Sequence, residues 1–265
     1  MSNLVIKNSS GRVLSNMEEW KQGFIEVDKK PMHWKEGYSA HSLGKFFTEC
    51  NGQQWLDNML KQILGSSVLY ADAEIEHPSK LDSYKGGQRM QDLAIWGKTQ
   101  EGKSVFIGIE AKVLETFDET IQDAIIEAEA ILKKKPKSNK LNRIYDVLNT
   151  LFPGKSPSSL NMLRYQLTHY FVGGLKEAPS LSISNTPYSE NRAVADIVVL
   201  PVLVFKTKRY EENPGVAEDN KNDYLDFCKA VEGMEHIPNK SYENAFHKRI
   251  LNQDLYTLYE AVPLP

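Results

Sequence analysis

The chain has 265 residues, of which 41% are hydrophobic and 25% are charged, and these fractions are close to those of ordinary soluble globular proteins. They exclude a collagen-like or disordered chain, and no stretch approaches the ~20 apolar residues of a membrane span. The 32 Lys and Arg residues against 35 Asp and Glu residues give a net charge of −3. No global positive field therefore attracts nucleic acid, and a polyanionic partner would need a local basic patch.

Two features predict the compartment. Cys50 and Cys228 lie far apart without CxxC spacing, which argues against a disulfide scaffold or a thiolate zinc site. The N-terminal residues carry several charges and no long apolar run, so we expect no signal peptide. We therefore expect a cytoplasmic protein that does not associate with a membrane.

The first half of the chain predicts helices and then strands. Residues 1–38 are mixed and polar, and we interpret them as an irregular segment before a single domain over residues 39–265. Apolar residues at three- and four-residue spacings predict two amphipathic helices between Ser39 and Leu64, with a break at Gly52. Three strands follow, over residues 67–75, 92–96 and 104–113, and the last two have the strongest hairpin signal in the chain.

The second half predicts mainly helices and one buried strand. Helical spacing predicts helices over residues 121–132, 141–151 and 160–175. A Val-rich apolar run predicts a buried strand over 195–205. The polar residues 210–222 predict a loop, and a short helix is predicted over 224–232. The order of elements predicts an α/β fold with a mixed central sheet flanked by helices.

The predicted hairpin places charged residues on one face. If its turn is centred near Glu101, paired residues have numbers that sum to about 202, so Asp92 lies opposite Glu110. Directly opposed residues have Cβ atoms ~4.5 to 5.5 Å apart, and like charges at that distance destabilise a sheet. Period two adds Lys112 to the face of Glu110, while the alternate residues from Val105 onward are apolar.

A divalent cation would neutralise the two opposed carboxylates. Oxygen ligands suit a hard cation such as Mg²⁺, which also binds phosphate oxygens. An ammonium group beside such a site can orient water or balance charge on a phosphate. These residue types therefore predict metal-assisted hydrolysis of phosphodiester bonds, with Mg²⁺ or Mn²⁺ as the cofactor.

The same residues resemble a known superfamily. Asp92, then 17 residues, then Glu110-Ala111-Lys112 at the end of an apolar strand is similar to the pattern of the PD-(D/E)XK nucleases, with Gln91 in place of the proline. A wider run resembles a bacterial restriction-endonuclease-like family within that superfamily and includes His33-Trp34-Lys35, Ser39-Ala40, Glu76-His77, Gly86-Gly87, Glu115 to Phe117 and Arg164 to Leu167.

The resemblance implies a restriction-endonuclease-like core of order α-β-β-β-α-β, with extra helices, and a set of site residues. It implies that Asp92, Glu110 and an upstream acid bind metal, that the Ala111 carbonyl adds a ligand, and that Lys112 acts on water. Glu76 matches the upstream acid best and Glu74 is the second choice. By resemblance the substrate is nucleic acid, with DNA preferred over RNA.

Each charged residue also has a structural interpretation. Asp92, Glu110 and Lys112 could form surface ion pairs, which contribute little to stability. Glu74 and Glu76 could be the solvent face of a strand. The tract of Lys133, Lys134, Lys135 and Lys137 could bind phosphates or could complement a helix C-terminus. Gln166 is a candidate for contact with the nucleic acid, and Arg164, two residues earlier, is expected to form a structural ion pair.

Two functions remain open at this point. The first is a Mg²⁺-dependent nuclease in which Glu76, Asp92, Glu110 and Lys112 are the catalytic residues. The alternative is a nuclease-fold protein without catalysis that binds nucleic acid or a protein partner, for example in phage defence. Many nucleases cut two strands as homodimers, but no residue pattern specifies an interface.

Overall fold

The computed structural model describes residues 3–29, 31–85, 88–186, 189, 191–239 and 241–264. Within them, one mixed sheet of eight strands has the order β1-β2-β3-β4-β5-β8-β7-β6. Three neighbouring pairs are parallel and four are antiparallel. The predicted mixed α/β sheet flanked by helices is confirmed at this level.

The elements have the following bounds. The strands are β1 (Ile6–Lys7), β2 (Val68–Ser79), β3 (Arg89–Thr99), β4 (Ser104–Lys112), β5 (Ile197–Lys206), β6 (Glu235–His236), β7 (Ala245–Ile250) and β8 (Gln253–Pro263). The α-helices are α1 (Met17–Asp28), α2 (Ser39–Glu49), α3 (Gly52–Leu64), α4 (Ile121–Lys134), α5 (Lys140–Leu151), α6 (Tyr165–Leu175), α7 (Leu181–Ser184), α8 (Lys208–Glu212) and α9 (Pro214–Ala230). Short 3₁₀ turns cover Pro31–His33 and Pro157–Leu160.

The hairpin of β3 and β4 has the predicted register. Trp96 pairs with Phe106, and the ladder continues to Leu93 opposite Ile109. The connection closes through Gly102, whose φ of 84° suits a residue without a Cβ. The rings of Trp96 and Phe106 lie 5.5 Å apart, so the predicted aromatic pair is confirmed.

Helices cover both faces of the sheet. The odd-numbered apolar residues of β4 pack in one core with α1, α2 and α3. The even-numbered face of β3 and β4 packs in a second core with α4, α5, α6 and α9. The structure therefore has three layers, and the site described below lies where β3 begins and β4 ends.

The prediction of an irregular segment over residues 1–38 was wrong. Asn16 caps α1 by accepting a hydrogen bond from the backbone N–H of Glu19, and Trp20 and Phe24 are buried against the sheet. β1 adds a parallel strand at the edge next to β2. Only two strand residues and three buried helix residues carry this signal, so the polar residues around them concealed it.

One prediction in the C-terminal part was also wrong. The predicted loop over residues 210–222 lies largely within α8 and α9, and α9 continues to Ala230. Beyond residue 232, where no element was predicted, the chain forms β7 and β8, and β8 pairs with the buried strand β5. Because β8 has neighbours on both sides, its pairing depends on contacts distant in sequence, and local periodicity could not reveal it.

Gly97 shows how closely β2 and β3 approach. A Cβ at this position would lie 2.6 Å from Val68 Cγ1 and 2.7 Å from the Leu69 carbonyl oxygen. We expect Gly97→Ala to lower the free energy of unfolding by about 1 to 3 kcal/mol, because the backbone would have to shift. Gly215→Ala is the control, since only Asn213 Oδ1, at 3.6 Å, approaches that position. Equal denaturant midpoints for the two variants would contradict this packing argument.

None of the described helices is both long enough and apolar enough to cross a bilayer.

Candidate functional site

The alternation of side chains along β2 breaks at Glu76. Ile75 lies in the core beneath α1 to α3, yet His77, two residues later, packs its ring against Trp96 in the opposite core. Regular alternation would put Ile75 and His77 on the same face. Glu76 has a φ of 49°, an uncommon left-handed conformation for a residue with a Cβ. This residue therefore reverses the faces of β2.

The neighbouring strand β3 shows the same reversal at Asp92. Leu93 packs beneath α1 to α3, whereas the Gln91 amide lies close to Gly108 and to Gly173 of α6. Residues 75 and 77 pair with residues 93 and 91, so Glu76 and Asp92 occupy the same point of the ladder. Both side chains consequently turn toward α1 and α2. The prediction that Asp92 shares one face of the hairpin with Glu110 and Lys112 was therefore wrong, because the reversal at Asp92 breaks the period-two alternation.

Glu76 and Asp92 line one cavity, which we call the Asp92 pocket. It has a volume of about 320 Å³ and is also lined by Asp28, His33 and Glu115 among other residues. Asp28 pairs with His33 at 2.9 Å. Glu115 accepts hydrogen bonds from the backbone N–H groups of Val113 and Ser39, which ties the end of β4 to the start of α2.

Glu76 and Asp92, the two central acids of the Asp92 pocket, both have a raised pKa. Burial raises the pKa of the Glu76 carboxyl well above its usual range, and the nearby Asp92 and Asp28 carboxylates raise it further. Burial also raises the pKa of Asp92, against the lowering influence of Arg89 and Lys112. Two acids that share a buried cavity favour either a proton or a metal cation between them.

Glu110 lies on the other side of this point and is held by three donors. Its Oε1 forms an ion pair with Lys112 Nζ and accepts a hydrogen bond from Gln166 Nε2, both at 2.9 Å, and its Oε2 pairs with the Arg89 guanidinium. Lys112 Nζ also donates to Gln166 Oε1 at 3.2 Å. Gln166, predicted to contact the nucleic acid, therefore lies inside the ionic network of the candidate site.

The Asp92 side chain connects the two halves of the site. Its Oδ2 accepts a hydrogen bond from the Ala111 backbone N–H at 2.7 Å. Burial lowers the pKa of Lys112, and the negative charge of Asp92 opposes that change. Asp92 thus lies within electrostatic range of Lys112 and Arg89 while facing the cavity that contains Glu76. Its carboxylate makes no direct hydrogen bond to that of Glu110 in the described contacts.

A second cavity, which we call the Arg89 pocket, opens beside Glu110. It has a volume of about 240 Å³, and its lining includes Arg89, Asp118, Glu119, Gln166 and His169. Arg89 Nε and His169 Nε2 are both buried there without a hydrogen-bond partner. Buried polar atoms without partners are rare in proteins and call for an explanation such as a bound water, ion or ligand.

Glu74, the second choice for the upstream acid, has a different environment. Its carboxylate pairs with His77 Nδ1 at 3.3 Å, and His77 Nε2 faces Glu177 at 3.5 Å. The expectation that Glu74 and Glu76 share one face is wrong, because the left-handed conformation of Glu76 separates them. Glu74 belongs to a buried ionic group, and Glu76 is the acid that lies beside Asp92.

The lysine tract lies away from the two pockets. Lys133, Lys134, Lys135 and Lys137 are exposed at the C-terminal end of α4 and just beyond it. Fourteen helical residues span ~21 Å, and Glu119 of the Arg89 pocket precedes the other end of this helix. The predicted contact of this tract with nucleic acid would therefore be remote from Glu110. Arg164 pairs with Asp223 at 2.8 Å, as expected for a structural residue.

Sequence reasoning missed Arg89, Asp28 and His169. Arg89 lies three residues before Asp92 and would face the opposite side in a regular strand, so only the reversal at Asp92 brings it toward Glu110. The residue pattern Gly86-Gly87, which precedes it, lies outside the described residues. Asp28 comes from the segment interpreted as irregular. His169 lies three residues after Gln166, and this helical spacing was the available signal.

The donor set suits a hard divalent cation. Glu76 and Asp92 supply neighbouring carboxylate oxygens, as Mg²⁺ prefers, and burial is the main cause of their raised pKa values. Among the described residues no group of three or more His, Cys, Asp or Glu side chains is already arranged to hold a metal. Glu110 would join Glu76 and Asp92 only if Arg89 released it.

These features define a class of protein: an α/β protein whose sheet carries three acids and a lysine where adjacent strands meet. Residues 13–259 match the family described as a domain of unknown function, DUF6946. The match covers most of the chain, so the protein belongs to this family. No curated protein and no solved structure matches the chain significantly.

Proposed function

We propose that the protein is a divalent-cation-dependent nuclease with a restriction-endonuclease-like core. The elements α3, β2, β3, β4, α4 and β5 occur in the core order α-β-β-β-α-β, with α5, α6 and α7 inserted before β5. The order agrees with the resemblance of Asp92 and Glu110-Ala111-Lys112 to the PD-(D/E)XK pattern. Fold order alone does not imply a function, so the proposal rests on the site.

One observation carries the proposal. Glu76, Asp92, Glu110 and Lys112 come from three adjacent strands at the open end of the hairpin. Glu76 lies beside Asp92, Asp92 is within electrostatic range of Lys112, and Lys112 Nζ lies 2.9 Å from Glu110 Oε1. Lys112 is buried, and a buried lysine close to several carboxylates is uncommon outside functional sites and ion-pair networks. The residue types and their placement support metal-assisted phosphodiester hydrolysis.

Each residue of the site would have a separate role in hydrolysis. Glu76, Asp92 and Glu110 would hold Mg²⁺ or Mn²⁺, which when bound supplies Lewis acidity toward the phosphate. The Ala111 carbonyl remains the candidate backbone ligand. Lys112 is placed to orient water or to stabilise negative charge on the phosphate. Gln166 positions Lys112 and Glu110 through its two hydrogen bonds.

The test compares the purified protein with its Asp92→Asn variant on single-stranded DNA, duplex DNA and RNA. We expect cleavage of at least one substrate with Mg²⁺ or Mn²⁺, none with EDTA, and a loss of at least about a hundredfold in the variant, because an amide removes the charge that binds the cation. Glu101→Gln, in the exposed turn of the same hairpin, is the matched control. Cleavage by Asp92→Asn at the wild-type rate would exclude the proposed site.

A second candidate is a nuclease-fold protein without catalysis. The Arg89 guanidinium pairs with Glu110 and supplies positive charge where a cation would otherwise bind. This contact favours a binding or interaction module that keeps the fold. Failure to cleave all three substrates, together with metal-independent binding of one of them, would support this candidate over the nuclease. By resemblance, binding of DNA is preferred over binding of RNA. Size-exclusion chromatography would show whether the protein forms a homodimer.

A further inference from the structure

Arg89 lines the Arg89 pocket and contacts Glu110. Its guanidinium pairs with Glu110 and lies 5.8 Å from the centre of the Tyr170 ring. The side chain is only 12% exposed. Arginine presents five N–H donors in a planar fork that matches carboxylate and phosphate groups. Arg89 Nε has no hydrogen-bond partner, so the guanidinium can donate a further hydrogen bond while it contacts Glu110.

The Arg89 pocket offers the guanidinium a second position. Asp118 lines this pocket and lies within electrostatic range of Arg89. His169 Nε2 lies in the same pocket without a partner. Glu119 also lines it, but that carboxylate faces Lys140 at 3.9 Å. An Arg89 side chain that left Glu110 would therefore still have an anionic neighbour, which reduces the cost of moving a buried charge.

The Glu110 carboxylate cannot pair fully with Arg89 and bind a divalent cation at the same time. Oε1 already accepts a hydrogen bond from Gln166 and forms an ion pair with Lys112, and Oε2 is paired with Arg89. A cation that used Glu110 as a ligand would compete with the guanidinium for Oε2. Of the three side chains that contact Glu110, Lys112 and Gln166 also contact each other, whereas Arg89 contacts neither of them in the described hydrogen bonds and its Nε has no partner.

We propose that Arg89 is a substrate-binding residue that pairs with Glu110 when no divalent cation is bound and with a phosphate group of the nucleic acid when one is. The inference rests on the proposed nuclease function and assigns the Arg89 pocket to that phosphate. Because the Asp118 carboxylate repels a phosphate in this pocket, an anion can bind there only if the Arg89 guanidinium supplies a charged hydrogen-bond donor.

The first test measures Mn²⁺ affinity by electron paramagnetic resonance, in a double-mutant cycle of Arg89→Gln and Glu110→Gln. Arg89→Gln should bind Mn²⁺ at least about fivefold more tightly than wild type, but should change the affinity by less than about twofold when Glu110 is already glutamine. A general charge effect would persist in both backgrounds. Arg143→Gln, which breaks a comparably buried pair with Asp82, should leave Mn²⁺ affinity unchanged.

The second test measures binding of a short labelled single-stranded DNA in Ca²⁺ and in EDTA. Arg89→Gln should weaken binding by about tenfold in Ca²⁺, the loss expected for one charged hydrogen bond, and by less than about twofold in EDTA. Arg89→Lys keeps a buried charge if the glutamine variant fails to fold. It should also weaken binding in Ca²⁺, because an ammonium lacks the planar fork.

The two tests distinguish failure of the proposed role of Arg89 from failure of the proposed nuclease function. Wild-type protein that binds no Mn²⁺ would exclude the nuclease proposal and this inference together. Wild-type protein that binds Mn²⁺, with Arg89 variants of unchanged Mn²⁺ affinity or unchanged DNA affinity in Ca²⁺, would overturn only the exchange of Arg89.

Discussion

Lys112→Met should reduce metal-dependent cleavage by about a hundredfold to a thousandfold, the usual loss when one group that stabilises transition-state charge is removed. Methionine keeps the length of the side chain and its packing beside Phe117, whose ring centre lies 5.5 Å from Lys112 Nζ. The ammonium group alone is lost. Initial rates at saturating Mg²⁺ would measure the effect on kcat.

The chain contains a matched control for this change. Lys103 belongs to Glu101-Gly102-Lys103, which has the same residue spacing as Glu110-Ala111-Lys112 but lies in the exposed turn of the hairpin. Lys103→Met should therefore leave cleavage unchanged. Equal loss in both variants would show that lysines act through general charge, and no loss in Lys112→Met would exclude the assigned role.

His77→Phe should lower the free energy of unfolding by about 3 to 5 kcal/mol, the cost of leaving buried charges without their partner. His77 and Glu177 are each 1% exposed and Glu74 is 6% exposed. Phenylalanine can still pack against Trp96, whose ring lies 4.9 Å from the imidazole. The loss would thus report the charges of Glu74 and Glu177, measured by denaturant unfolding.

The effect of His77→Phe should depend on pH. Burial alone would lower the pKa of His77, but the adjacent Glu177 and Glu74 carboxylates outweigh this effect and raise the pKa to about 9. Because this value lies above the unfolded value of 6.5, the stabilising effect of the proton is fully present below about pH 6.5. It is lost as the pH rises through 9, so the difference between wild type and variant should shrink over that range.

Neutralising the two acids tests the origin of the loss. The triple variant His77→Phe, Glu74→Gln and Glu177→Gln removes the whole buried ionic group, and it should recover most of the stability. If the triple variant is no more stable than His77→Phe, packing rather than unpaired charge causes the loss.

Local patterns in the sequence were sufficient for the hairpin. The turn at Gly102 and the alternation from Val105 onward determine the register, because turn geometry and period two act over a few residues. The same applies to the helices α2 to α5, whose apolar spacing is continuous. The resemblance of Asp92 and Glu110-Ala111-Lys112 to a nuclease pattern likewise needed no tertiary information.

The other residues of the candidate site could be identified only from the tertiary structure. Period two predicts one face for Glu74 and Glu76, yet the left-handed conformation of Glu76 sends this residue to Asp92. Glu74 instead joins Glu177, which is 103 residues away in the chain, through His77. Backbone reversals of this kind depend on the surrounding structure and leave no periodic signal.

The sequence by itself determined the hairpin, its apolar face and the acids and lysine that mark the candidate site. The tertiary structure alone decided that Asp28 and Glu115 approach those acids, that Arg89 and Gln166 hold Glu110, and that β8 lies beside β5. The physical reason is the distance along the chain between the residues that interact. Turns and side-chain alternation arise between near neighbours, whereas strand order and buried ion pairs arise only when distant segments pack and exclude water.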